Sequence, residues 1–160
     1  MNNVIIKENF QIALDIDGVI CDCYWKKCPH NEVDQEHVFK PKSIKALNKI
    51  ISYYNADLIM ISGWNSKFMD EDHYSKFLKN RGVIINNPVV IGDQHNRVNY
   101  IEDLIANNVV DKYLIIDDEP HGYFRNSTII EYKRILAPNR YRCLDNFDVL
   151  HVTKNWKLNV

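Results

Sequence analysis

An α/β sandwich built on a mostly parallel sheet is the fold class this sequence predicts, and three features predict it. Short, β-branched apolar runs closed by glycine or acidic residues read as buried strands. Longer segments whose apolar residues recur every three or four positions alternate with them and read as amphipathic helices. The strand–helix alternation is that of parallel strands joined by crossover helices. The expected architecture is a Rossmann-like, three-layer sandwich in a single domain, residues 1–160.

The elements follow in order. Val4 to Ile6 suits a short leading strand or arm, and Phe10 to Asp15 is the opening strand. Cys21 to Phe39 has no clear period. Pro41 opens a helix carrying Ile44, Leu47, Ile50 and Ile51 on one side, since proline is well tolerated in a first turn, and Asn55 ends it. Asp57 to Ile61 is the second strand. A second helix is expected from Ser66 to Asn80, stopping at Arg81-Gly82. At least one of Val83 to Ile85 and Val89 to Ile91 should be a strand. A third helix covers Asn96 to Asn107, and Tyr113 to Ile116 is a strand. Ile129-Ile130 and Ile135-Leu136 are further strand candidates. Leu144 to Val152 suits a closing helix, with Thr153 to Val160 as a tail.

Composition narrows the function classes. The formal net charge is −1, with 46% hydrophobic and 26% charged residues, as for a globular domain with one good core. The near-neutral balance argues against a general nucleic-acid sponge, though not against a local basic patch. No apolar run is long enough to cross a bilayer, so no membrane partner is expected. The start shows no signal peptide, and four cysteines are too few and too bunched for a disulfide scaffold. A reducing, cytoplasmic setting is the expectation.

The strand ends carry the chemistry. The first finishes on Asp15 and Asp17, two residues apart and therefore on one face. The second runs into Ser62 and Gly63, and the fourth into Asp117 and Asp118. In a parallel sheet the carboxyl ends share one edge, so these groups can converge. Carboxylates crowded into one crevice repel, and oxygen-only ligation of a compensating cation suits Mg²⁺. Ser62 and the N–H groups of Gly63 and Trp64 are neutral donors of the kind a phosphate site needs. Arg97, at a helix start where the dipole disfavours a cation, can supply positive charge; Lys79 and Arg81 are rival basic groups.

Asp15-Ile16-Asp17-Gly18-Val19, an apolar run ending in Ser62, a basic residue opening a helix, and Ile115-Ile116-Asp117-Asp118 together resemble the haloacid dehalogenase (HAD) superfamily of aspartyl phosphotransferases. Phe39-Lys40-Pro41, Trp64 and Arg97 are similar, more closely, to the HAD domain of Swiss Army Knife RNA repair proteins. The resemblance spans roughly Ile12 to Asp118. It implies that Asp15 is a nucleophile forming an aspartyl-phosphate, and that Asp17 is the general acid and base whose backbone carbonyl also ligates Mg²⁺. It implies that Ser62, Gly63 and Arg97 bind the phosphoryl group, and that Asp117 and Asp118 complete the metal site. Asp118 is favoured as the direct ligand and Asp117 as the residue orienting Arg97, with the reverse order still open.

Neither the stretch from Asp17 to Ser62 nor that from Ser62 to Arg97 holds a full cap domain, so a capless, open site is expected, covered at most by residues Cys21 to Phe39. An open site suits a large phosphorylated substrate such as a nucleic-acid end. A nucleotidase, a phosphoprotein phosphatase and a non-catalytic phosphate- or metal-binding module are the rival readings. Cys21, Cys23, Cys28 and His30, with His37 nearby, invite a zinc reading. One residue between the first two cysteines is too few for the usual spacing, and they read as reduced thiols. Lys26-Lys27, Lys133-Arg134 and Arg140 with Arg142 read as solvated surface, and His121 as a site edge or a turn residue.

Overall fold

The computed structural model describes residues 3–22, 39–118, 124–155 and 158. Five strands, β1 (Gln11–Leu14), β2 (Asp57–Met60), β3 (Val90–Ile91), β4 (Tyr113–Ile116) and β5 (Ile135–Leu136), form one sheet in the order β3-β2-β1-β4-β5. Every pairing is parallel. The helices are α1 (Pro41–Tyr54), α2 (Glu71–Asn80), α3 (Arg97–Ala106) and α4 (Asn146–Leu150). Of the segments expected from periodicity, Val4 to Ile6 and Ile129-Ile130 form no strand, whereas Ile135-Leu136 does.

Alternation along the strands divides the core in two. Ile12, Leu14, Leu58, Met60, Leu114 and Ile116 pack with the apolar faces of α1, α2 and α4. Ala13, Ile59, Ile61 and Ile115 point the other way, onto α3. All residues of β1, β2 and β4 are buried, as expected of strands covered on both faces. The result is the three-layer, Rossmann-like sandwich that the alternation predicts.

Two local departures have plain causes. The segment from Ser66 to Asn80 is not one helix: a 3-10 turn over Gly63–Lys67 is followed by extended Phe68, and α2 starts only after Asp70. The Asp70 carboxylate accepts the His73 N–H at 2.8 Å and caps the helix there, a choice local hydrogen bonding makes over side-chain periodicity. The closing helix is likewise short, Asn146–Leu150, with a wider turn over His151–Asn155. Asn55 ends α1 in the left-handed region at φ 49°.

Strand order sets the location of the site. Sequence runs leftward from β1 to β2 and β3, and rightward to β4 and β5, so the direction reverses between β1 and β4. The crevice outside the strand ends at such a reversal is where open α/β sheets place ligands. Among the described residues no helix is long and apolar enough to cross a membrane.

Candidate active site

Register decides the first contact. Leu14 pairs with Ile116, so the next residues, Asp15 and Asp117, leave adjacent strands side by side at the reversal point. The Asp15 N–H donates to the Ile116 carbonyl at 2.9 Å, and the Asp117 N–H to the Leu136 carbonyl at 3.1 Å, extending the ladder past the strands proper. Carboxylate oxygens of Asp15, Asp117 and Asp118 lie within 4.8 Å of one another. Three hard oxygen donors at that spacing fit a small divalent cation of the Mg²⁺ type.

Arg97 joins this group. Asp93 Oδ1 accepts the N–H groups of His95 and Asn96 at 2.8 and 3.0 Å, turning the chain into α3 with Arg97 as its first residue. Its Nε donates to the Gln94 carbonyl at 3.2 Å. Nη1 lies 2.7 Å from Asp117 Oδ2 and 3.2 Å from Asp15 Oδ2. Among the described residues Nη2 makes no hydrogen bond. Burial alone would lower the Arg97 pKa, but Asp15 and Asp117 outweigh it and carry it above its usual value. The rivals Lys79 and Arg81 are elsewhere: the Arg81 guanidinium stacks over Phe77 and Phe39, 4.3 and 5.5 Å from their centroids.

Electrostatically the acidic group is not satisfied by Arg97 alone. Burial, then the Asp117 carboxylate, push Asp15 well above the usual carboxylate range; Arg97 opposes them, while Asp118 and Asp17 add to the rise. Asp15 Oδ1 also accepts the Ile16 N–H at 2.8 Å, which fixes the carboxylate plane. A divalent cation would lower the cost of ionising this carboxyl, so the donor set and its charge both fit one.

Asp17 stands apart from the three-carboxylate group. Its Oδ1 accepts the Trp64 indole N–H at 2.8 Å. Trp64 is itself packed edge-on against Phe39, centroids 5.4 Å apart, and near Phe77 at 5.8 Å. An aromatic cluster therefore aims the second aspartate.

Gly18 turns the chain just beyond, with φ 74°, and a side chain there would overlap the Asp118 carboxylate. Gly18→Ala is expected to lose about 1–2 kcal/mol of stability from the left-handed backbone alone. It should also displace Asp118 from the three-carboxylate group. Thermal melts, with and without added Mg²⁺, check both effects.

The second strand end differs from the simple phosphate cradle. Ser62 is fully buried. Its hydroxyl accepts the Trp64 N–H at 3.2 Å, so that amide is already used. Gly63 is exposed, and its N–H donates to no group among the described residues. Behind Ser62 lies a network that sequence reading missed. Asn65 donates its amide hydrogens to the carbonyls of Met60 and Gly92 at 2.8 and 3.1 Å, which turns its oxygen toward Tyr74. Tyr74 must then donate to Asn65 Oδ1, at 2.9 Å, which leaves its own oxygen as an acceptor on the side of Ser62. Burial, then the charges of Asp15 and Asp17, hold the Tyr74 pKa far above normal, so the phenol keeps its proton. Tyr74→Phe strands the Asn65 oxygen and should cost about 1–3 kcal/mol, read as a lower melting midpoint.

Arg140 is the other residue missed. Read as solvated surface, its Nε instead lies 3.4 Å from Asp118 Oδ2. Residues 139–144 pack on the loop after β1: the Leu144 N–H donates to the Val19 carbonyl at 2.8 Å, and Cys143 Sγ to the Cys21 carbonyl at 3.4 Å. Arg134 also departs from that surface reading, being buried with Nη1 donating to the Tyr113 carbonyl at 3.0 Å. Arg142 is half exposed and pairs with Asp145 at 2.9 Å. Cys21 and Cys143 are both buried, and burial pushes Cys143 up to about 11. Cys23, Cys28, His30, His37, Lys26, Lys27 and His121 lie outside the described residues, as does most of the stretch expected to cover the site.

Compared with known proteins, residues 11–151 match the model of one family, the HAD domain in Swiss Army Knife RNA repair proteins. No curated protein and no solved structure matches the chain. The matched span runs from β1 through α4 and includes Asp15, Asp17, Ser62, Gly63, Arg97, Asp117 and Asp118.

Proposed function

The chain belongs to the family of HAD domains found in Swiss Army Knife RNA repair proteins, a phosphohydrolase type of fold, and from that premise we propose that it is a Mg²⁺-dependent phosphomonoesterase acting on polynucleotide terminal phosphates. The observation that carries the reading is the Arg97 bridge: one guanidinium nitrogen between the Asp15 and Asp117 carboxylates, at the sheet's reversal point.

The chemistry follows from the side chains. An Asp15 oxygen attacks phosphorus, and the bond from phosphorus to the ester oxygen breaks as Asp17 gives that oxygen its proton. The departing alcohol leaves an aspartyl-phosphate on Asp15. Asp17, now ionised, takes a proton from water attacking the phosphorus; phosphate departs, and both aspartates return to their starting states. Trp64, bonded to Asp17 Oδ1, keeps that carboxyl oriented through both proton transfers.

A carboxylate approaching a phosphate dianion is repelled, and two sources of charge offset this. Arg97 presents Nη2 to the phosphoryl oxygens while Asp117 holds its Nη1. Asp15, Asp118 and the Asp17 carbonyl would hold Mg²⁺, which would supply the remaining positive charge. The exposed Gly63 N–H and the Ser62 hydroxyl complete the donors around the transferring group. For Ser62, fully buried, this means turning its hydroxyl hydrogen toward the substrate.

Phosphate release from an aryl phosphate, with Mg²⁺ and with chelator, tests the reaction. Turnover only with the metal is expected. Terminally phosphorylated oligonucleotides, nucleotides and phosphopeptides then rank the substrates, with the oligonucleotides expected first. Absence of turnover on every phosphoester would replace this reading with a phosphate- or metal-binding module, and preference for free nucleotides or phosphopeptides would replace the substrate class.

A further inference from the structure

A cleft of about 440 Å³ is walled in part by Arg97 and Asp117. It falls within the size range of small-molecule sites, ~300–1,000 Å³, and apart from Arg97 and Asp117 its lining has no part in the phosphoryl chemistry above. We propose that this cleft is a nucleoside subsite, taking the base and sugar of the terminal nucleotide whose phosphate sits at Asp15; the proposal rests on the phosphatase reading above.

Continuity comes first. Arg97 and Asp117 belong to both the acidic cluster and the cleft wall, so a group bound in the cleft is covalently within reach of a phosphoryl group at Asp15. A ligand spanning the two would pass across the guanidinium.

The remaining lining suits a planar heterocycle with a hydrogen-bonding edge. Asn96 and Asn99, three residues apart, share one side of the first turn of α3 and both line the cleft. Asn96 occupies the N-cap position yet makes no side-chain cap bond, so its carboxamide is not committed to the helix. Carboxamides offer a donor and an acceptor side by side, the pattern that pairs with base edges. His95 adds a further polar ring at the rim. Val98 and Phe124 add apolar surface against which a base can lie.

Charge selects between one nucleoside and a longer track. Within the cleft the Arg97 cation is matched by the Asp117 anion, so no cationic excess is available for a run of phosphodiesters. Recognition should therefore be confined to the terminal unit, with the rest of a polynucleotide outside. A phosphopeptide brings no planar heterocycle next to its phosphate and would leave both carboxamides unmatched.

The test compares three substrates on wild type and Asn99→Ala. These are an oligonucleotide with a terminal phosphate, the same oligonucleotide with its terminal base removed, and an aryl phosphate. Removing the base should lower wild-type kcat/KM by about tenfold, the scale of losing one or two matched hydrogen bonds. Asn99→Ala should lower the ratio of oligonucleotide to aryl-phosphate kcat/KM by a similar factor. Equal turnover of the intact and base-free oligonucleotides, with an unchanged ratio in the variant, would overturn the proposal. So would preferential turnover of phosphopeptides. If the wild type releases no phosphate even from the aryl ester, the phosphatase reading fails on its own. Calorimetric titration with a nucleoside monophosphate then decides the cleft: weaker binding to Asn99→Ala supports it, and equal or absent binding removes it.

Discussion

Asp15→Asn is expected to cut phosphate release by about 10³-fold or more while raising the melting midpoint of the metal-free protein. The two effects have one origin. A carboxamide cannot form the aspartyl-phosphate, so the covalent route closes. Yet the carboxylate it replaces sits in an unfavourable place, because burial and then Asp117 push its pKa well above the usual range despite Arg97. A folded-state pKa above the unfolded one gives a contribution to stability that is complete at low pH and lost as pH rises. The neutral asparagine escapes that loss. Its advantage should therefore be largest near neutrality and shrink as the pH falls and wild-type Asp15 regains its proton. Phosphate release with an aryl phosphate, and thermal melts with chelator across that range, check both. Activity within tenfold of wild type would remove Asp15 as nucleophile. A lower midpoint would mean that its pairing with Arg97 outweighs burial and repulsion.

Arg97→Met should be damaging in both respects. The side chains of Asp15 and Asp117 are only 5% and 1% exposed, and they share one cation at 3.2 and 2.7 Å. Removing one partner from a buried ionic group typically costs ~3–5 kcal/mol, and that is the expected destabilisation of the metal-free protein at neutral pH. The loss should lessen at lower pH, where the carboxyls can be protonated, and on adding Mg²⁺. Loss of a preorganised charge at the phosphoryl group should lower kcat by about 10²–10³-fold. Arg97→Lys separates the two effects. A point charge can restore much of the stability, but it cannot occupy Nη1, Nη2 and Nε positions at once, so most of the rate deficit should persist. Denaturant melts and kcat for the three proteins provide the comparison. Equal rates for lysine and arginine would show that charge, not the planar fork, is what the site needs.

Much of the candidate site is legible in the sequence, because its residues follow directly from strands. Asp15, Ser62 and Asp117 are the first or second residues beyond short apolar runs, and a parallel sheet brings such ends to one edge whatever the details of packing. Arg97 stood out for a different reason: a cation at a helix start works against the dipole, and in the fold that cation pairs with Asp117 and Asp15 at 2.7 and 3.2 Å. Residues whose partners are distant in sequence were not legible. Arg140 reads as one more surface arginine until residues 139–144 are seen packed on the loop after β1. Tyr74 reads as core, and it is core, but its hydroxyl donates to Asn65 Oδ1, a bond that only the fold reveals. The helix start at Glu71 was also missed, since Asp70 could cap only where Phe68 lets the chain extend.

By itself the sequence determined the strand–helix alternation and which acidic and hydroxyl residues stand at the strand ends. These depend on local periodicity and on the geometry every parallel sheet shares. Only the tertiary structure decided how the parts divide the work. Strand order placed Asp15 beside Asp117 at the reversal of the sheet, with Asp118 close by. Packing turned Asp17 toward an indole 47 residues away in sequence, withdrew Ser62 into a hydrogen-bonded core, and left a cleft beside Arg97. Such contacts join segments far apart in the chain, and short-range periodicity contains no information about them.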